Sequence, residues 1–178
     1  MISKTIVDRK VNSKEMKSAT LAYFRFMQKS IVATEVDYGK VGGVADVMVD
    51  DGKSIYEIEI KVDKQDLKVN ELLKTKHASM LDPLAYAEHL PNYFYLCVPH
   101  YLLEIAKEWV LDVNPQYGIL EYVPGSEYIP LAMNRIKLIK KASKLHQIRN
   151  EHIAKALNMR SSSELCNLYE QLIGGIQS

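Results

Sequence analysis

Four ionisable side chains crowd into a short stretch of this chain: Asp46, Glu57, Glu59 and Lys61. Carboxylates brought close together repel, and one of them tends to take up a proton. A hard divalent cation resolves that repulsion. Mg²⁺ takes oxygen ligands and typically uses one or two carboxylates together with water and phosphate. A cation held there can polarise a phosphodiester and activate water. An ammonium beside it, such as Lys61, can orient that water or stabilise charge building on the phosphate oxygens.

The elements that must position these groups are legible as a hairpin. Val44 to Val49 and Ser54 to Val62 are β-rich runs separated by Asp50-Asp51-Gly52-Lys53, and an Asp-Gly pair between such runs is a strong hairpin signal. With Asp51 and Gly52 at the centre of a two-residue turn, Asp50 faces Lys53 and Asp46 falls opposite Glu57. Glu59 is then the diagonal neighbour of Asp46, and Lys61 lies one pleat further. Period two sends Ile58, Ile60 and Val62 to the core and Glu57, Glu59 and Lys61 to the other face. Glu-Ile-Glu-Ile-Lys is also what an ordinary half-solvated strand looks like. Asp46 argues for more, because it interrupts an apolar strand and strands disfavour Asp.

Around the hairpin, Asn12 and Glu15 have capping-box spacing before a helical pattern through Met16, Ala19, Thr20, Tyr23, Phe24 and Met27. Residues 30–37 read as a strand. Residues 63–80 read as one Leu- and Lys-rich helix that stops near Asp82-Pro83. Residues 92–99 suit a strand buried on both faces. A helix over 101–111, a strand over 117–123 and one or two basic helices over 135–159 follow, with fraying expected at Gly174-Gly175. This order predicts an α/β fold, a mixed sheet flanked by helices with a basic helical C-terminal tail. The division expected is a core over 1–125 and a mainly helical extension over 126–178.

Composition narrows the class. The 178 residues are 47% apolar, enough for one domain's core, and the net charge is +1. Charge is unevenly spread: residues 123–178 carry +4 and the remainder −3, a hint of phosphate binding in the tail. Cys97 sits in an apolar run and reads as a core residue; Cys97 and Cys166 form no disulfide framework or paired-cysteine zinc motif. Met1 to Lys10 has no apolar signal core, and no stretch nears the roughly 18 apolar residues of a membrane span. The expected compartment is the cytoplasm.

Gly43-Val-Ala-Asp46, Glu57-Ile-Glu-Ile-Lys61 and the Lys-rich segment from Asp66-Leu67 together resemble the PD-(D/E)XK phosphodiesterase superfamily, which holds restriction endonucleases, Holliday-junction resolvases and many repair and phage nucleases. The likeness spans residues 13–123, and the runs at 92–99 and 117–120 also look like small bacterial and phage members. It implies a restriction-endonuclease-like core and Mg²⁺- or Mn²⁺-dependent hydrolysis of DNA in repair, recombination or phage DNA processing. By position it makes Asp46 and Glu59 the metal-binding carboxylates, Lys61 the catalytic lysine and the Ile60 carbonyl a further ligand. Glu15 is the candidate for an added first-helix glutamate, though it also serves the capping box. Glu57 is open as ligand, proton carrier, surface residue or, in a rival register, the metal ligand itself. Ala45 stands where the family often has Pro.

Lys68, Lys74, Lys76 and His77 follow Lys61. Lys74 is the best candidate for an additional catalytic basic residue, and Lys68 and Lys76 for phosphate contacts. Lys141, Lys144 and Arg149 in the tail could track a DNA backbone, or could belong to a solvated amphipathic helix. A homodimer is compatible with the family. The alternative function is a catalytically inactive relative that binds DNA or protein.

Overall fold

The computed structural model describes residues 11–39, 43–81, 90–124 and 132–176. The helix stop expected at Asp82-Pro83 and the stretch Met1 to Lys10 lie outside them. The described elements are α1 (Ser13–Ala22), β1 (Ile31–Asp37), β2 (Val44–Asp50), β3 (Ile55–Ile60), α2 (Thr75–Leu81), β4 (Tyr93–Pro99), α3 (Leu103–Val113), β5 (Gly118–Tyr122), β6 (Ile136–Lys140) and α4 (Glu151–Ile176). The strands form one sheet in the order β1-β2-β3-β4-β5-β6. The first three are antiparallel neighbours, β3, β4 and β5 run parallel, and β6 returns antiparallel. This is an α/β fold with a mixed sheet flanked by helices.

One face of the sheet packs on α1. Met16 and Ala19 from the helix, with Phe24 beyond its end, meet Val47, Val49, Ile58, Ile60, Tyr95, Cys97 and Leu120. Cys97 is buried there, as its apolar run implied. The opposite face is covered in two patches. Leu103, Ala106, Trp109 and Val110 of α3 lie against Phe94, Leu96, Val98 and Ile119. Ile153, Ala154 and Leu157 of α4 lie against Ala33, Met48 and Ile55. Between the patches runs β3, and its charged residues occupy this side because Ile58 and Ile60 take the other.

The hairpin differs from the sequence expectation. Asp50 pairs with Ile55, Val49 with Tyr56, Met48 with Glu57 and Val47 with Ile58. The loop therefore holds residues 51–54 and not two. Its cause is local: the Asp51 carboxylate accepts from the amides of Lys53 and Ser54, at 2.8 and 2.7 Å, and Asp50 accepts from Gly52 at 2.8 Å. Gly52 takes φ +86°, which suits glycine. A shift of two residues preserves side-chain parity, so the faces stand while the partners change. Asp46 is carried from Glu57 to the level of Glu59.

Four further expectations are corrected. The segment 63–80 is not one helix: a π-turn at Asp66–Asn70, closed by Glu71 N–H donating to the Asp66 carbonyl at 2.9 Å, precedes the short α2. Residues 135–159 are not simply helical: pairing with β5 draws Ile136–Lys140 into the sheet as β6, overriding local propensity, and an irregular segment then leads to α4. The region 126–178 thus supplies both a strand and a long helix, and the helical backbone runs through Gly174-Gly175, where fraying was expected. Finally, Asn12 caps α1 through the Lys14 amide at 2.8 Å, but Glu15 does not close the box. Its carboxylate accepts from the Tyr122 hydroxyl and pairs with Arg135 at 3.4 Å.

Asn92, fully buried, ties the start of β3 to the segment before α4. Its side chain accepts from the Ile55 amide and donates to the His146 and Ile148 carbonyls, each at 2.8 Å. Asn92→Ala strands a buried amide and two carbonyls, and is expected to cost about 2–3 kcal/mol in urea denaturation.

Candidate active site on the third strand

Glu57, Glu59 and Lys61 do not face water. Glu57 is fully buried and Glu59 is 1% exposed. The half-solvated strand is therefore overturned, because α2 and the turn before it close over this part of β3 and carry their own charges to it. Lys76 of α2, 2% exposed, is paired with Glu57 at 2.6 Å and with Glu59. Lys74 pairs with Glu59 at 2.8 Å and with Glu71 at 2.8 Å. Lys61 lies 2.8 Å from Glu71, 3.1 Å from Asp66 and 3.6 Å from Glu59.

Asp46 joins this cluster at the end of the β2–β3 ladder. One of its carboxylate oxygens accepts from the Ile60 amide at 2.8 Å. The other pairs at 2.7 Å with Lys17 of α1, which also binds Glu35. Asp46 thus touches the end of β3 through the Ile60 amide and α1 through Lys17, near enough to Glu59 for the two charges to interact, while Glu59 and Lys61 turn to the π-turn and α2. Of α1's charges, the one that reaches Asp46 is Lys17, and Glu15 goes to Tyr122 and Arg135.

The titration behaviour follows from the geometry. Burial raises Asp46 above its ordinary value, and the charge of Glu59 adds to this against the pull of Lys17 and the Ile60 amide. Burial also raises Glu57, opposed by Lys76. For Glu59, burial is outweighed by Lys76 and Lys74, and its value falls. For Glu71, burial is outweighed by the hydrogen bond with His77 and by Lys76, Lys61 and Lys74, and its value falls well below the carboxylate range. Burial opposes the Lys61 ammonium, but Glu71, Glu59 and Asp66 more than restore it.

The remaining expected residues fare differently. Glu57 is held by Lys76 and by the Tyr38 hydroxyl, which fixes it as a structural acid beneath the sheet. Lys76, expected at a nucleic-acid surface, is enclosed and spent on two carboxylates, so it cannot contact a backbone. Lys68 pairs with Glu108 of α3 at 3.8 Å. Arg149 is half-buried and binds Asp50 at 2.5 Å, bracing the hairpin. Lys141 is exposed, and Lys144 donates to the Gln147 carbonyl at 3.0 Å. The sequence reading missed Lys17, Asp66 and Glu71, and gave His77 no partner. Lys17 borders the buried stripe of Met16, Ala19 and Thr20, a signal that could have flagged it. Nothing local marked Glu71.

Among the described residues, no group of three His, Cys, Asp or Glu side chains is arranged to hold a metal. A divalent oxygen-seeking cation typically takes one or two carboxylates; here Asp46 is held by Lys17 and the Ile60 amide, and Glu59 by Lys74 and Lys76. The ion pairs form two clusters: Lys17 with Glu35 and Asp46, and Lys61, Lys74 and Lys76 with Glu57, Glu59, Asp66 and Glu71. Oxygen donors of this kind suit a hard divalent ion, and Glu59 would have to shed an ammonium to serve as one. Lys74, with a side chain 37% exposed, is the one at the solvent boundary.

Lys76→Met leaves Glu57 and Glu59 buried without their main counter-charge, a loss of about 3–5 kcal/mol at neutral pH. In the wild type, Glu59 and Glu71 have folded-state values below 4.5, so the stability they contribute is present above that pH and is lost as pH falls through and below it. In the variant the orphaned acids shift upward and take up protons before the unfolded chain does. The stability gap between the two proteins is therefore expected to narrow on acidification, measured by urea denaturation at a series of pH values.

No family model matches the chain, and no curated protein does. Among solved structures, a Silicibacter pomeroyi protein of unknown function is similar, with a TM-score of 0.55 and 14% sequence identity over 92% of this chain and 93% of that one. At that identity the likeness concerns the fold alone.

Proposed function

We propose that this chain is a metal-dependent nuclease of the PD-(D/E)XK type, hydrolysing DNA phosphodiester bonds. The observation that carries the reading is the hydrogen bond from the Ile60 amide to Asp46, at 2.8 Å, which brings the first carboxylate to the Glu59–Lys61 segment. The setting adds support. A helix, three antiparallel strands, a helical segment and a parallel fourth strand follow one another, with Asp46 on the second strand and Glu59 on the third, as expected of a restriction-endonuclease-like core.

In this reading Asp46, Glu59 and the Ile60 carbonyl hold Mg²⁺ or Mn²⁺. Bound there, the ion supplies Lewis acidity toward the phosphodiester and its attacking water. The protein's own groups do the rest. Lys61, kept protonated by Glu71, Glu59 and Asp66 and itself enclosed, would act through its field, adding positive charge beside Glu59 without a direct hold on the substrate. Lys74, at the solvent boundary, meets the incoming backbone. Strand geometry fixes Asp46 and Glu59 without a mobile loop.

One observation favours a second reading. Both oxygens of Glu59 are occupied by lysine ammonium groups, Lys74 on one and Lys76 on the other. A chain in which that closure is permanent binds DNA or protein without cutting.

The two readings separate in one assay. Plasmid DNA incubated with the protein is expected to be cut with Mg²⁺ or Mn²⁺ and not with EDTA. Asp46→Asn, Glu59→Gln and Lys61→Ala should each lower the rate by about 100-fold or more. A folded protein that retains DNA yet cleaves with neither metal establishes the binding module instead.

A further inference from the structure

We infer that Glu71 is a positioning residue that fixes the Lys61 ammonium from behind, and that it does so through a buried chain of contacts reaching the centre of the α3 core. The inference rests on the nuclease reading and adds to it a residue with no part in the sequence motif.

Glu71 has no exposed surface. One carboxylate oxygen lies 2.8 Å from Lys61. The other is 2.9 Å from His77 Nε2, and His77 Nδ1 is 2.9 Å from the Tyr117 hydroxyl. Tyr117 and His77 are in turn packed among Phe94 and Trp109. Lys61 is thereby tied to the aromatic core under α3 and not only to the turn that carries Glu71.

The π-turn is what makes this grip possible. Its i to i+5 hydrogen bond sets residue 71 over residue 66, so Asp66 and Glu71 both reach Lys61. An α-helical turn would bring residues three and four apart into register instead. The two grips differ in kind. Asp66 is a third exposed and can exchange with solvent, whereas Glu71 cannot. Lys61 stands nearer to Glu71 than to Glu59, 2.8 against 3.6 Å. Glu71 thus bears the ammonium's load and leaves Glu59 to its other partners. A buried carboxylate with this many charged neighbours is costly to assemble. Fixing the direction of Lys61 is what the carboxylate adds.

The test uses the full chain, with Mn²⁺ affinity by calorimetry, steady-state cleavage of linear duplex DNA, and melting temperature. Glu71→Gln is expected to keep Mn²⁺ affinity and the KM for DNA within about threefold while kcat falls about 100-fold, the pattern of an interaction realised in the transition state. Glu71→Asp, which keeps the charge on a shorter stem, should recover about tenfold of that loss, and it stands in as the test should the Gln variant not fold. A Glu71→Gln enzyme with kcat within threefold of wild type overturns the role, as does a parallel loss of Mn²⁺ affinity and kcat. Wild-type protein that binds Mn²⁺ but never cuts DNA overturns the nuclease reading itself, a separate result from an active enzyme indifferent to Glu71.

Discussion

Glu57, Glu59 and Glu71 can be buried beneath the sheet only because Lys61, Lys74 and Lys76 are buried or half-buried with them. An isolated carboxylate in that setting would neutralise itself by taking up a proton, and a lone ammonium would lose one. Together they interlock so that each acid meets at least one ammonium within 2.8 Å. The arrangement couples three pieces of chain, β3, the π-turn and α2, that are otherwise joined by few apolar contacts. The short α2, too brief to be stable alone, is held by this electrostatic clamp and by Met80 in the α3 core.

That clamp also explains which parts of the fold were open to sequence reading. The hairpin, its faces and the buried β4 follow from period two and from an apolar run, and both are local signals. The register was misjudged by two residues because Asp51 could serve either as a turn residue or as a side-chain acceptor for two loop amides. Only the folded loop decides between them. The error was harmless to face assignment and favourable to the site, since it moved Asp46 to the level of Glu59. β6 was hidden because Ile-Lys-Leu-Ile-Lys fits a helix as well as an edge strand, and its partner β5 lies well back in the chain.

The candidate site was half legible. Asp46, Glu59 and Lys61 announced themselves by type and spacing, and the structure links the first of them to the Glu59–Lys61 segment through the Ile60 amide. Their surroundings did not. A charged strand ordinarily implies solvent, and no local pattern says that a second charged segment will fold over it. Lys76 was read as a phosphate contact and Lys74 as an additional catalytic basic residue for that reason, whereas both pair with the acids of β3. Glu71 looked like any exposed helix glutamate, and His77 like one more basic residue beside it.

The distribution of burial among the lysines bears on how such a centre could change state. Lys76, which also lies 3.5 Å from Glu71, cannot leave without stranding both Glu57 and Glu59. Lys61 is gripped by acids on three sides. Lys74 alone combines an ion pair to Glu59 with substantial solvent access. A divalent ion entering beside Asp46 would take the place of the Lys74 ammonium at Glu59 as Lys74 moved toward water. Such an exchange costs least where the departing ammonium regains its hydration and the arriving ion meets carboxylates already fixed in place. Those two conditions meet at the Asp46–Glu59 corner, and the deeper Glu57–Lys76 pair fails the first.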